Sequence, residues 1–310
     1  MEIYAILGFM LAAYAVVAND SVQTLGTFIT SNKRVVPWYY MWVGASLVLA
    51  FTLFYSWYMY GGDISFGRLT KIPYVEVQWY HVLPPLILLI LTRVGVPVST
   101  SFLVLSAFAS TVVLEKVLLK SMLGYAVAAI FGYTLWSVIS TVMKKRNVNK
   151  SDTVPVKWRV FQWLSTGLLW YMWLSHDMAN VAVFLPRELT LAQVTMCVIL
   201  FSVFLAFMFR EGGGKIQQIV QEKTSTQYVK AATLIDLSYA FILWYFKMYN
   251  NIPMSTTWVF VGLLAGRELA IATWTDRKMG SVWPLVGKDS LKMIIGLSIS
   301  VVIAFIVQSI

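Results

Sequence analysis

The chain has 310 residues, of which 59% are hydrophobic, 15% aromatic and only 12% charged. Soluble domains carry about 45–50% apolar and about 25% charged residues, so the composition excludes a water-soluble globule, and its aromatic content excludes a disordered chain. The net charge of +10, from 24 Lys and Arg against 14 Asp and Glu, clusters in short loops between uncharged runs. That is the charge pattern of a membrane protein rather than of a nucleic-acid binder.

In chain order the apolar runs are Ile3–Ala18, Trp38–Tyr60, Val82–Leu91, Phe102–Leu114, Ser121–Met143, Phe161–Leu174, Leu191–Phe209, Ala231–Phe246, Trp258–Ala265 and Met293–Ile310. A helix spans the hydrocarbon core with about 20 residues, whereas a barrel strand needs about 9–11 of alternating polarity. Runs such as Trp38–Tyr60 and Leu191–Phe209 therefore predict an all-α, multi-pass integral membrane protein, in a cell or inner membrane. The shorter runs flank Pro97 and Pro253 and predict re-entrant or broken helices, which are tolerated where they are buried in protein or line a cavity. Met1-Glu2-Ile3 lacks a basic n-region and a cleavage site, so no removable signal peptide is expected. Lys144–Lys157, reading KKRNVNKSDTVPVK, is the most polar and basic segment. It predicts a cytoplasmic linker between one transmembrane repeat over 1–143 and another over 158–310, with the N-terminus outside. Cys197 is the single cysteine and sits in an apolar run, so neither a disulfide framework nor a Cys-rich metal site is expected.

Two motifs recur in the same order. Asn19-Asp20 is followed by Pro97-Val98-Ser99-Thr100-Ser101, and His176-Asp177 by Pro253-Met254-Ser255-Thr256-Thr257. The Asp-to-Ser separations are 79 (99−20) and 78 (255−177). This register argues for a duplicated unit, and interrupted helices in corresponding positions of two halves point to a transporter's binding site.

Each Pro-x-Ser-Thr-Ser/Thr element follows a helix-breaking stretch, Arg93-Val94-Gly95 or Asn250-Asn251, and precedes an apolar run. Proline suits a first helical position, and the residues after it offer free N–H groups at the positive end of a helix dipole. The hydroxyls of Ser99, Thr100, Ser101, Ser255, Thr256 and Thr257 would add donors for a tetrahedral oxyanion; the blander reading is a pair of N-caps. Asp20 and Asp177 lie at the ends of apolar runs with Asn19, Gln23 and Asn180 beside them. Buried acids mark ion paths or proton relays, and carboxylate and amide oxygens suit a small hard cation rather than a soft metal. Cations on the two acids would favour anion entry, and the anion would favour the cations in return, which is the coupling of a symporter.

These residues carry a resemblance. VANDSVQTLGTFITS, from Val17 to Ser31, resembles the GANDVANA-GTSVGS signature of the inorganic phosphate transporter (PiT) family, and LSHDMANV, from Leu174 to Val181, resembles its second copy. GVPVSTSF and NIPMSTTW resemble the two PVSTTH elements, and GGGKIQQIVQEKT, from Gly212 to Thr224, resembles the family's cytoplasmic stretch. The resemblance spans nearly the whole chain. It implies an inverted-repeat fold holding phosphate between hairpin tips, with sodium or protons as coupling ions and no other cofactor. Asn19 and Asn180 would join the six hydroxyl residues around phosphate. Asp20 and Asp177, helped by Gln23, His176 and Asp236, would serve the cation. The sequence departs from the pattern at Gln23 and His176, each in place of Asn, and at Phe102 and Trp258, each in place of His.

His176 beside Asp177 could relay a proton or stand in for an Asn hydrogen bond. His81, in Trp79-Tyr80-His81, reads as an interfacial belt residue. Asp236, inside an apolar run, reads as a weaker cation ligand or as the partner of a buried Lys. The expected function is cation-coupled phosphate symport, the alternative a proton-coupled permease for sulfate or a related oxyanion. A membrane-embedded hydrolase using Ser99 or Ser255 with His176 and Asp177 is disfavoured, because adjacent side chains on a helix diverge. No enzyme activity and no nucleic acid are expected, the bilayer is, and a homodimer is compatible with the sequence.

Overall fold

The computed structural model describes residues 2–93, 98–146, 155–213, 217, 229–250, 252–274, 280 and 283–309. Among them the chain is all helix, turn and loop. Helix α1 spans Ile3–Asn32, α2 Trp38–Met59, α3 Leu83–Arg93, α4 Thr100–Leu103, α5 Thr111–Arg146, α6 Val156–Asp177, α7 Ala179–Ala182, α8 Leu191–Arg210, α9 Val229–Tyr249, α10 Thr256–Trp274 and α11 Trp283–Gln308. Five of these (α1, α2, α5 over Thr111–Thr141, α8 and α9) are long and apolar enough to cross a bilayer. The chain is an integral, multi-pass membrane protein.

Local chemistry sets several boundaries. Pro37 and Pro155 stand just ahead of α2 and α6, where a missing N–H costs nothing. Thr190 and Gln193 form a capping box at the start of α8. The linker expected at 144–157 falls largely on 147–154, outside the described residues, as does Pro97.

Helix α1 is the axis of the molecule. Past Ala18 it carries Asn19, Asp20, Ser21, Gln23, Thr24, Thr27, Thr30, Ser31 and Asn32, all buried. The expectation that Asp20 ends an apolar run is therefore corrected: it sits inside a 30-residue helix. Polar residues do not end this helix because protein, rather than lipid, surrounds them. A second correction concerns α5, which joins the end of the run Phe102–Leu114 to Ser121–Met143 through Glu115, Lys116 and Lys120 in one helix of 36 residues. Lys120 causes no break because its ammonium is taken up by backbone and side-chain oxygens of residues 250 and 252.

Helices α5 and α10 touch along a seam of glycines. A Cβ on Gly262 would strike the carbonyl oxygen of Tyr125, one on Gly266 that of Ala129, and one on Gly132 that of Leu263. Only residues without side chains permit that approach.

Candidate functional site

The two hydroxyl segments and the two acids come together. On α1, Asn19 Nδ2 donates to Asp20 Oδ1 at 2.7 Å and to the Val98 carbonyl at 2.9 Å, tying the acid to the loop before α4. The Thr100 hydroxyl donates to Asp20 Oδ2. In the second half, Asn180 Nδ2 donates to Asp177 Oδ1 at 2.9 Å, and Thr256 lies beside the same carboxylate. Ser101 joins the halves: its hydroxyl lies 3.4 Å from Asp177 Oδ1 and 3.2 Å from the Met254 carbonyl. The rings of Phe102 and Trp258 meet next to these contacts, centroids 5.2 Å apart. All thirteen residues that the sequence reading singled out are buried.

The six hydroxyls divide by task. Ser99 Oγ accepts from the Phe102 amide at 3.3 Å, and Ser255 Oγ from the Trp258 amide at 3.2 Å, so both serines are the N-caps of the blander reading. Thr100 and Ser101 instead turn onto the acids. The helices behind the caps are unequal, since α4 lasts 4 residues and gives way to a 3-10 turn at Leu105–Ala107, whereas α10 runs 19. The dipole contribution of the first segment is correspondingly smaller.

Several buried polar atoms here have no partner at hydrogen-bonding geometry among the described residues: Asn19 Oδ1, Asp177 Oδ2, Asn180 Oδ1, Gln23 Nε2 and His176 Nδ1. Unpaired buried groups cost free energy unless something meets them. Three of the five are hard oxygen acceptors, the donor chemistry of an alkali cation, and Gln23 Nε2 is a donor suited to an anion. No group of three or more His, Cys, Asp or Glu able to hold a metal ion occurs among the described residues.

His176 is bound to a neighbouring helix. Its Nε2 lies 2.8 Å from the Leu243 carbonyl on α9, which makes that nitrogen the N–H donor. Neither Ser99 nor Ser255 reaches the imidazole, and both are engaged as caps, so the hydrolase arrangement is not assembled. Asp236 stands elsewhere, accepting from the Thr27 and Thr166 hydroxyls at 2.6 Å each and so tying α9 to α1 and α6. Its partners are hydroxyls, not the Lys that the sequence suggested. His81 is also corrected: it is buried and stacks on Phe108, and its Nδ1 accepts from the Gln78 amide at 2.9 Å. With Gln78 as cap and Phe108 as packing surface, the ring has no reason to reach the lipid interface.

Sequence reading missed Arg68. It enters from the connection between α2 and α3, where Asp63 accepts from the Ser65 amide and hydroxyl and from the Gly67 amide, at 2.7–2.8 Å. Phe66 takes a positive φ of 57° in that turn, a rare conformation for a bulky residue. The result drives Arg68 inward until it is 1% exposed. Its Nε donates to the Ser175 carbonyl at 2.7 Å, Nη1 to the Ile252 carbonyl at 3.1 Å, and Nη2 lies 3.5 Å from His176 Nε2. Lys120, on α5, donates to the same Ile252 carbonyl at 2.7 Å.

No protein-family profile matches the chain, and no curated protein matches its sequence. Among solved structures it is similar to one described as the sodium-dependent phosphate transporter, with a TM-score of 0.59 and 16% identity over 99% of this chain and 98% of that one. At that identity the likeness is one of fold, and it extends over both chains end to end.

Proposed function

We propose that this chain is a cation-coupled symporter of inorganic phosphate that works by alternating access. The observation carrying the reading is that Ser101, from the first hydroxyl segment, reaches both Asp177 and the carbonyl of Met254 beside the second segment. Substrate donors and cation acceptors from both halves thus share one buried centre. The likeness in fold to a sodium-dependent phosphate transporter supports the same reading.

The chemistry follows from charge. Once a cation takes the place of the bonds to the acids, Thr100, Ser101 and Thr256, with Thr257, Asn19 and Asn180, would supply neutral donors for a tetrahedral anion. Two carboxylates in the same space repel that anion. A sodium ion or proton on the acids removes the repulsion, and the bound anion strengthens cation binding by the same factor. The unpaired oxygens of Asn19, Asp177 and Asn180 would accept the cation. We further read residues 1–143 and 158–310 as inverted repeats, in keeping with the register of the two motifs.

The test is flux in proteoliposomes carrying phosphate or sulfate under sodium or proton gradients. Phosphate accumulation that requires one of the cation gradients is the expected result. Sulfate driven by protons in preference to phosphate would make the chain a sulfate permease. Uptake indifferent to both gradients would refute coupled transport.

A further inference from the structure

Away from the buried centre, we infer that a cavity between α1, α3 and α8 binds the headgroup of an amine-bearing phospholipid, its phosphate on Arg93 and its ammonium on Glu211.

The cavity has a volume of about 410 Å³ and is lined by both a guanidinium and a carboxylate, Arg93 at the end of α3 and Glu211 just past α8. Phe204, Phe207 and Met208 of α8 form an apolar wall, and Phe207 is 55% exposed. Both α1 and α8 are long and apolar enough to cross a bilayer, so an exposed phenylalanine on α8 faces acyl chains and the cavity borders the lipid. Ligand pockets run from roughly 300 to 1,000 Å³. This one, near the lower limit, has room for a headgroup and not for two acyl chains, which would lie outside along Phe207.

The charges are set for such a ligand. Arg93 is exposed; its Nη2 donates to the Tyr14 hydroxyl at 2.9 Å, and its Cζ lies 5.9 Å from the centroid of that ring. Tyr14 in turn packs edge-on against Phe204, centroids 5.4 Å apart. These contacts hold the guanidinium in place and leave it further N–H groups for phosphate oxygens. Among the described residues neither Arg93 nor Glu211 forms an ion pair, with the other or with a third group. Ionised side chains between spanning helices are costly without an opposite charge in reach, and a basic pocket in such a place recognises a lipid phosphate. A purely anionic headgroup would meet Glu211 with the wrong sign, whereas a zwitterion suits both residues.

The order of the charges fits as well. Through Tyr14 the guanidinium is tied to the level of Phe204, seven residues before Glu211 (211−204), or about 10 Å along the helix. In a phospholipid the phosphate lies next to the chains and the amine outermost; in the cavity the guanidinium lies deeper and the carboxylate stands past the helix end. A primary ammonium can donate to Glu211, and the quaternary ammonium of a choline headgroup has no N–H to give.

The test is lipid retention, read by native mass spectrometry of the full chain stripped in detergent. The stripped protein is then given phosphatidylethanolamine, phosphatidylcholine or phosphatidylglycerol with identical acyl chains. One phosphatidylethanolamine per chain should bind at least about tenfold more tightly than either comparator. Arg93→Gln should weaken that binding about tenfold, and Glu211→Gln should abolish the preference over phosphatidylglycerol while a lipid still binds. Equal retention of the three lipids by the wild type, or wild-type retention of phosphatidylethanolamine by Arg93→Gln, overturns the inference. Should Arg93→Gln fail to assemble, Glu211→Gln at its exposed position decides, and a preference that survives there is the refuting result. Displacement of the lipid by inorganic phosphate alone would make Arg93 a site for the free anion and overturn the inference too.

Discussion

Around Asp20 the hydrogen-bonding partners are an amide and a hydroxyl, and the charge that acts on it is another carboxylate. Around Asp177 an amide and a hydroxyl recur, yet a guanidinium from a distant loop stands behind the helix end. Helix geometry differs in parallel, for α1 runs through Asp20 unbroken while α6 stops at Asp177 and restarts as α7. Two matching motifs therefore hold unlike sites. What separates them is tertiary: nothing within four residues of either Asp supplies a positive charge.

The sharpest way to break the comparison is to neutralise each acid in turn. Asp20→Asn keeps shape and loses the charge a mobile cation needs, so cation-driven phosphate uptake should fall by at least about a hundredfold, near 2.8 kcal/mol. Asp177→Asn should also depress uptake, and in addition remove the acid two residues from the carbonyl that holds the buried Arg68, with a loss of stability. Thermal unfolding in detergent separates the two; identical stability in both variants would erase the distinction between the acids.

The hydroxyls come next in size. Thr100→Ala and Thr256→Ala each remove a donor from a buried charged centre, worth about 1.5–3 kcal/mol. Apparent phosphate affinity should weaken about tenfold or more. Uptake titrations with affinity unaltered in both proteins would take these segments out of the substrate site.

Asp236 offers a contrast of the opposite kind, a buried acid with a tying role. Thr27→Val or Thr166→Val should lower stability by about 1.5–3 kcal/mol while phosphate affinity stays as it was. An altered cation dependence in either variant would draw Asp236 into the coupling path.

The smallest effect is expected at Gln23, which stands three residues after Asp20 as Asn180 stands three after Asp177. Gln23→Asn shortens the amide and makes the halves alike. A change of about twofold in the cation concentration for half-maximal uptake is expected, a few tenths of a kcal/mol. A change above tenfold would give Gln23 a far larger part than Asn180.

Much of this was legible in the sequence. The paired motifs, the buried acids and the serine caps were readable because a proline followed by hydroxyls has one common use at a helix start, and charges within apolar runs are rare. Three features were not. Asp20 and Lys120 looked like boundaries because a charge facing lipid would end a span; packing supplied their partners and the helices continued. His81 looked interfacial because Trp79 and Tyr80 precede it, and its stacking on Phe108 depends on a residue 27 positions away (108−81). Arg68 gave no local signal at all. A loop of Gly, Asp and Ser announces a turn, and where the next side chain ends depends on the entire fold.

The glycine seam bears on how such a molecule can move. Helix α5 comes from the first half of the chain and α10 from the second, and at Gly132, Gly262 and Gly266 one backbone rests on the other with no side chain between. Side chains can slide or swap rotamers to absorb a displacement; two touching backbones cannot. In the alternating-access motion proposed above, this line is the part expected to stay intact while other helices move. The seam is the natural fulcrum, and a methyl group added at Gly266 would jam it at the point where leverage is least and precision of contact greatest.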